Sequence, residues 1–248
     1  MKRVKIMGVF FHSVTLEQAC MKIKQFLLDR GNHVVVTPNT EIVMMAQKDS
    51  ELRKIINQSH LAVADGIGVV WASKHLGQPL PERVAGFDLM DYILRQGKDK
   101  GYRIYLLGGK PGVAEKAAKN IHSRYPGIQV VGCHHGYFSK EEEQQVIDDI
   151  NLRKPQFLFV AMGAPKQEKW IFKHKDELEV KVSMGVGGSL DVLSGEVKRA
   201  PKTFRNLGLE WLYRLVTQPS RIVRMMALPV FVLKVLITNK NRERVNNR

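Results

Sequence analysis

Short runs of β-branched or apolar residues recur along the chain, and segments with helical periodicity separate them. The runs are residues 34–37 (VVVT), 61–65 (LAVAD), 104–108 (IYLLG), 129–133 (QVVGC), 157–163 (FLFVAMG) and 181–187 (KVSMGVG). Strands that alternate with helices are typical of βα units, in which consecutive strands run parallel. The pattern therefore predicts an α/β fold, with a mainly parallel, Rossmann-like sheet and helices on both faces. The opening segment MKRVKIMGVFF predicts a first strand.

Polar residues and prolines mark where several helices should begin. Ser139 and Glu142 have the S-x-x-E spacing of a capping box. Pro111 suits a first helical turn, because proline lacks the amide hydrogen that this turn leaves unpaired. Pro165 predicts another helix start, and Ser189 predicts an N-cap.

The loops that follow the six runs carry glycine and polar residues. Their sequences are TPN, ADG, GGKPG, HGYFS, GAPKQE and GGSLD. Turn formation alone explains any single loop of this kind. Six of them at the carboxyl edge of one parallel sheet predict a ligand site, because ligands bind at that edge. The polar side chains expected there are Asn39, Asp65, Gln167, Glu168 and Asp191.

Asp65 is the single carboxylate of the apolar segment LAVADGIGVVW. A charged side chain beside a buried run costs free energy unless it is paired or reaches a solvated cleft. Asp65 could cap the helix that follows it, or it could serve chemistry at the ligand edge. The two roles can coexist.

Two glycine-rich turns and an arginine could bind a nucleotide or its phosphates. Residues 108–112 (GGKPG) follow a strand and open a helix, whose amides and dipole favour an anion, but they lack the G-x-G-x-x-G spacing and the P-loop ending. In residues 187–191 (GGSLD), Asp191 could hydrogen-bond a ribose or a base. Gln167 could contact a sugar hydroxyl or a diphosphate, and Arg83 could fork onto phosphate oxygens or simply face solvent. The sequence contains no metal-binding motif, so we expect neither a catalytic metal nor a cofactor.

Composition and charge restrict the classes of partner. The chain has 248 residues, of which 44% are hydrophobic, so it can form one large α/β domain or a domain with an appendage. Its formal net charge is +15, and residues 198–248 hold twelve Lys or Arg and two Glu, a net charge of +10. Such charge predicts an anionic partner such as nucleic acid, anionic lipid or a phosphorylated substrate. We expect an α/β domain over residues 1–195 and a basic helical appendage over residues 196–248. Cys20 and Cys133 show no metal-ligand spacing, which favours a reduced, cytoplasmic setting.

The C-terminal segment EWLYRLVTQPSRIVRMMALPVFVLKVL combines apolar residues with basic ones. Its longest apolar run, residues 225–233, is far shorter than the about 20 residues that span a bilayer. A basic, apolar pair of helices fits the surface of an anionic membrane. The alternative is that these helices pack on their own domain or on a second subunit.

Six motifs occur in a fixed order between about residues 34 and 215. Together they closely resemble the WecG/TagA/CpsF glycosyltransferases, glycosyltransferase family 26, and most of all its TagA branch. The motifs are TPNTEIV, VADGIGVVW, ERVAGFDLM, LLGGKPG, MGAPKQEKW and GVGGSLDVLSGEVKRAP.

The resemblance implies a peripheral enzyme on the cytoplasmic face of the cell membrane. It would move N-acetylmannosamine from UDP to the 4-hydroxyl of N-acetylglucosamine on undecaprenyl diphosphate, forming the β-1,4 linkage unit of wall teichoic acid. The transfer would be inverting and metal-independent. Sister branches are expected to use the acid form of the same sugar or glucose, so the resemblance leaves the donor sugar open.

The resemblance also implies roles for individual residues. Asp65 would be the general base that removes the acceptor proton. Thr37, Asn39 and Gln167 would position the sugars, and Arg83 would balance charge on a diphosphate. The nucleotide would be bound by Gly108, Gly109, Gly187, Gly188 and Asp191. The lipid diphosphate would be bound by Arg214, Arg221 and Arg224.

Two other classes of function compete with this interpretation. The net charge of +15 is typical of nucleic-acid-binding proteins, but the basic residues alternate with long aliphatic stretches rather than with stacking aromatics. A nucleotide-dependent oxidoreductase is disfavoured by the missing dinucleotide fingerprint. We therefore expect no nucleic-acid partner. A homo-oligomer that covers the apolar appendage in solution is compatible with the sequence.

Overall fold

The computed structural model of the chain describes residues 1–206, 208–217, 222 and 226–246. Its strands are β1 (Arg3–Ile6), β2 (Val9–His12), β3 (His33–Val36), β4 (Leu61–Ala62), β5 (Arg103–Gly108), β6 (Gln129–His134), β7 (Phe157–Ala161) and β8 (Val182–Gly185). Its helices are α1 (Leu16–Phe26), α2 (Thr40–Lys48), α3 (Ser50–Gln58), α4 (Ile67–His75), α5 (Gly86–Gly97), α6 (Val113–Arg124), α7 (Lys140–Arg153), α8 (Lys166–His174), α9 (Ser189–Leu193), α10 (Lys202–Asn206), α11 (Glu210–Thr217) and α12 (Ala227–Asn246).

Six strands form one parallel sheet, in the order β4-β3-β8-β7-β5-β6. All six strands predicted from the apolar runs are confirmed. In this sheet β5 and β7 are neighbours. From β5 the chain continues to β6 at the edge of the sheet, whereas from β7 it continues to β8 in the opposite direction. This reversal opens a crevice at the carboxyl ends of β5 and β7, where ligands of open α/β sheets bind.

Side chains that alternate along the strands build two hydrophobic layers. Val34 and Val36 of β3 face one layer, which includes residues of α2, α3, α4, α7, α8 and α12. Val35 faces the other layer, which includes residues of α1, α5, α6 and α9. A strand buried on both faces needs apolar residues at every position, which explains the continuous run VVV. The predicted α/β fold with helices on both faces is confirmed.

The N-terminal segment forms an antiparallel hairpin of β1 and β2 outside the main sheet. The prediction of a single first strand was wrong. Met7 and Gly8 connect the two strands with φ angles of 47° and 81°, the positive values that a tight hairpin turn requires. Asn57 of α3 fastens this turn, since it accepts from Phe10 N at 2.8 Å and donates to Gly8 O at 2.9 Å.

The helix starts agree with the sequence at some positions and differ at others. The capping box of Ser139 is confirmed, and Pro165 directly precedes α8. Pro111 lies outside α6, which begins after Gly112 in the left-handed conformation. Ser189 is the first residue of α9 rather than its cap, because its hydroxyl donates to Val186 O at 2.7 Å instead of accepting from the helix.

The final helix, α12, packs against α2 and α4. Phe231 and Val235 are completely buried in the core layer on that side. Val230, Leu233 and Ile237, by contrast, are exposed. The helix thus contacts its own domain through one face and presents apolar side chains elsewhere.

Candidate active site

A cavity of about 530 Å³ lies at the carboxyl edge of the sheet. Segments that follow β3, β4, β5, β6, β7 and β8 line it, so the parallel strands deliver their loops to one place. Most of the predicted site residues meet there: Thr37, Asn39, Asp65, Gly109, Gln167, Gly187, Gly188 and Asp191.

A second cavity of about 330 Å³ adjoins the first and is mainly apolar. Ile67, Trp211, Leu228 and Val232 supply its apolar walls, and Arg83 lies at its edge. Asp65 and Asn39 line both cavities. A carboxylate therefore stands where a polar cavity meets an apolar groove.

Asp65 is held by backbone contacts on both sides. Its amide donates to Pro38 O at 3.2 Å, and its carboxylate oxygen Oδ2 accepts from Gly86 N at 3.2 Å. Gly86 is the first residue of α5, so the positive end of this helix dipole faces the carboxylate. The helix that follows Asp65 in sequence, α4, has Gly66 as its N-cap and therefore no side-chain cap. Asp65 therefore stabilises the N-terminus of α5, not of α4 as the capping alternative expected.

Thr37 and Asn39 flank this carboxylate. A Cβ atom on Gly86 would lie 2.8 Å from the Thr37 hydroxyl oxygen, so the missing side chain lets Thr37 approach the start of α5. Asn39 Oδ1 caps α2 by accepting from Ile42 N at 3.0 Å.

Gln167 and Glu168 are buried below the cavity. Gln167 Oε1 accepts from Gly163 N at 3.2 Å and from Gly187 N at 3.1 Å, and its Nε2 donates to Glu168 Oε1 at 2.8 Å. The amide of Gln167 thus bonds to protein groups at both ends, whereas the sequence suggested a sugar contact. Burial raises the pKa of the Glu168 carboxyl above its ordinary value.

Arg83 belongs to a cluster of charges next to the second cavity. Its guanidinium lies 3.4 Å from Glu210 of α11 and 3.7 Å from Asp88 of α5. Asp88 also bonds to Arg199 and lies 3.9 Å from Arg205. These ion pairs connect the start of α5 to the segments around α10 and α11.

Not every predicted residue lies in the site. Gly108 does not line the cavity, and a Cβ atom there would lie 2.4 Å from Ala161 O. It therefore permits the close approach of β5 and β7. Arg214 belongs to α11, but its side chain is outside the described part of the chain, as are Arg221 and Arg224.

The structure adds residues that the sequence analysis did not select. Lys110 and Lys166 line the first cavity, together with Tyr137. Lys166 Nζ donates to Gly136 O at 3.1 Å. Both lysines belong to loop motifs that follow strands, GGKPG and GAPKQE. Their position at the carboxyl edge could therefore have been predicted from the sequence.

The family model of the WecG/TagA/CpsF glycosyl transferases matches residues 4–245. The chain belongs to this glycosyltransferase family. Two similar proteins come from Staphylococcus aureus, strains MRSA252 and NCTC 8325 / PS 47. Each is 43% identical over 235 residues, which cover 94% of this chain and 92% of the relative. Both are named N-acetylglucosaminyldiphosphoundecaprenol N-acetyl-β-D-mannosaminyltransferase.

Membership of the WecG/TagA/CpsF family confirms the resemblance found in the sequence, and the chain is a glycosyltransferase. It also favours transferase chemistry over the nucleic-acid and oxidoreductase alternatives. Among the residues that the structure describes, no three His, Cys, Asp or Glu side chains are grouped to hold a metal ion. No helix in the described part of the chain is long and apolar enough to cross a membrane.

Proposed function

We propose that this glycosyltransferase moves N-acetylmannosamine from UDP-N-acetylmannosamine to the 4-hydroxyl of N-acetylglucosamine on undecaprenyl diphosphate. The product would carry the β-1,4 linkage of the wall teichoic acid linkage unit. The observation that carries the proposal is the position of Asp65 between a polar cavity and an apolar groove. A reaction between a nucleotide sugar and a lipid-linked sugar needs such neighbouring compartments. The names of the staphylococcal relatives support the choice of both sugars.

Asp65 serves as the general base. The acceptor 4-hydroxyl attacks the anomeric carbon from the face opposite UDP, and Asp65 takes the proton as the new C–O bond forms. The bond between the anomeric carbon and the β-phosphate oxygen breaks at the same centre, and its electron pair leaves with UDP. One displacement inverts the anomeric configuration. The hydrogen bond from Gly86 N keeps the carboxylate in place for this step.

Donor binding belongs to the first cavity. Lys110 and Lys166 lie there with glycine-rich loops, whose backbone amides approach a diphosphate without side-chain obstruction. These cations and amides offset the charge that develops on the departing UDP, which suits a metal-independent transfer. Asp191 is the proposed partner of the ribose or the base.

Acceptor binding belongs to the second cavity. Its apolar wall of Ile67, Trp211 and Leu228 suits the first isoprene units of the lipid. Arg83 at the edge of this groove is the proposed partner of the acceptor diphosphate. Further proposed partners of the acceptor diphosphate are Arg214, Arg221 and Arg224 of the C-terminal segment.

The C-terminal segment would hold the enzyme on the cytoplasmic face of the membrane. Exposed apolar residues of α12, Val230, Leu233 and Ile237, occur in a segment with a net charge of +10. Apolar insertion and attraction to anionic lipid then act together. Residues 1–195 form the catalytic domain in this account, and residues 196–248 form the membrane-associated appendage.

The proposal is tested by UDP release from purified protein, lipid-linked N-acetylglucosamine diphosphate and a panel of UDP-sugars, with a chelator present. Release with UDP-N-acetylmannosamine and a β linkage in the product are expected. Release only with UDP-glucose or with the uronic acid form would assign the protein to a sister activity. Dependence on a divalent metal, or an α linkage, would contradict the mechanism.

A further inference from the structure

The first turn of α8 buries two polar side chains side by side. Gln167 is 4% exposed and Glu168 is 2% exposed. Burying an amide and a carboxyl costs free energy unless hydrogen bonds replace water. The hydrogen bonds that replace water at Gln167 and Glu168 therefore indicate the role of this pair.

Gln167 joins two of the loops that line the first cavity. Its Oε1 accepts from Gly163 N and from Gly187 N, at 3.2 and 3.1 Å. Gly163 follows β7 and Gly187 follows β8, and both have positive φ angles, 77° and 50°. One side-chain oxygen thus fixes the spacing of two glycine turns at the donor cavity.

Glu168 fixes the orientation of the Gln167 side-chain amide. Because both loop amides are donors, the oxygen of Gln167 must face them, and its Nε2 must face the opposite way. There Nε2 donates to Glu168 Oε1 at 2.8 Å. Gly185 leaves space for this arrangement, since a Cβ atom on it would lie 2.7 Å from Gln167 Nε2.

We propose that Glu168 is a positioning residue, which acts through Gln167 to hold the Gly163 and Gly187 loops in the geometry that binds the donor nucleotide. This inference rests on the proposed function, because it takes the donor to be a UDP-sugar. Without an acceptor at position 168, Gln167 Nε2 would be left buried and unpaired. Such a group costs enough free energy to favour a changed amide orientation, and with it a changed spacing of the loops.

The chemistry of the Glu168 carboxyl decides which substitutions test the proposal. Desolvation raises the pKa of its carboxyl, while the hydrogen bond from Gln167 opposes that shift. A neutral acid still offers an acceptor oxygen to Gln167. The amide of glutamine offers the same oxygen, so Glu168→Gln is a conservative replacement and Glu168→Leu is a disruptive one.

The test compares wild type, Glu168→Gln and Glu168→Leu in UDP binding by calorimetry and in steady-state transfer. Loss of one buried hydrogen bond corresponds to about a tenfold effect. Glu168→Leu is expected to weaken UDP binding and raise donor KM by about tenfold, with acceptor KM and kcat within about threefold of wild type. Glu168→Gln is expected to restore both donor parameters to within about threefold.

Gly185→Ala is the second variant, and it displaces Gln167 without altering Glu168. It should reproduce the donor-selective loss even if Glu168→Leu does not fold. Undiminished UDP binding in folded Glu168→Leu, or in folded Gly185→Ala, would overturn the inference. An equal loss in Glu168→Gln and Glu168→Leu would also overturn it. Failure of wild type to bind UDP would instead refute the proposed donor, and this inference with it.

Discussion

The guanidinium of Arg83 lies 3.4 Å from the carboxylate of Glu210, and this ion pair links the loop before α5 to α11. The Arg83 side chain is only 17% exposed. A residue expected to meet a diphosphate is therefore already engaged with a carboxylate from the C-terminal segment. Arg83 could bind substrate, anchor α11, or do both.

Separate variants of the two partners distinguish these roles. Arg83→Gln should raise acceptor KM by at least about tenfold, because a charge-assisted bond to phosphate contributes about 1.5–3 kcal/mol. Glu210→Gln breaks the same ion pair but leaves the guanidinium for the ligand, so it should raise acceptor KM far less. Steady-state kinetics with varied acceptor provide the comparison. Equal effects of the two variants would show that Arg83 only anchors α11.

The exposed apolar residues of α12 predict binding to anionic vesicles. Leu233→Glu combined with Ile237→Glu should weaken binding at least about tenfold, because insertion of each apolar side chain contributes about 1.5–3 kcal/mol. Neither side chain is buried in the core, so UDP binding should persist. Co-sedimentation with vesicles of anionic lipid measures the effect. The control is Leu152→Glu, an exposed leucine on α7, compared with the single variant Leu233→Glu, and an equal loss in this control would contradict the assignment.

Two histidines whose ring nitrogens accept backbone hydrogen bonds predict a loss of stability in mild acid. Nδ1 of His12 accepts from Ala62 N and Nδ1 of His60 accepts from Val34 N, each at 3.0 Å. Partial desolvation lowers the pKa of both rings below the ordinary value of 6.5. The folded state therefore favours neutral rings. This stability is present above about pH 6.5 and is lost as the pH falls through the lowered pKa values.

Urea unfolding at pH 8 and pH 5.5 measures this loss. The free energy of unfolding should fall between the two pH values in wild type. It should fall less in a variant with His12→Gln and His60→Gln, whose amide oxygens can accept the same bonds without taking up a proton. An identical fall in both proteins would exclude these histidines as the cause.

Glu168 predicts the opposite dependence on pH. Since burial raises the pKa of its carboxyl above 4.5, the folded state favours the protonated acid. The stability that the protonated Glu168 contributes is then fully present below about pH 4.5 and is lost as the pH rises through the folded-state pKa. Glu168→Gln cannot ionise, so its free energy of unfolding relative to wild type should rise from pH 5 to pH 8. Chemical unfolding at these pH values tests the sign, and a constant difference would contradict it.

Much of the fold could be predicted because its signals are local. Buried parallel strands need continuous apolar runs, and six such runs identified the sheet. The N-terminal hairpin was missed because Met7 in its turn has a positive φ angle. A methionine in the sequence does not predict that conformation. The start of α6 was misplaced, because Gly112 rather than Pro111 sets the geometry of that turn.

The candidate site was predictable only in part. Asn39, Asp65 and Asp191 come together because parallel strands share a carboxyl edge, and that edge follows from the topology. The topology does not predict which residues contact the side chains of the site. Gly86 reaches Asp65 across 21 positions and Glu210 reaches Arg83 across 127, so both contacts depend on the packing of helices.

The most direct test of the account is the turnover of Asp65→Asn with UDP-N-acetylmannosamine and the lipid-linked acceptor. Asparagine keeps an oxygen for the bond from Gly86 N, so the variant should fold and bind UDP like wild type. It cannot take the proton, and its kcat should fall by about 10²–10⁴-fold. Near-normal turnover in the folded variant would contradict the account, because another residue would then have to act as the base.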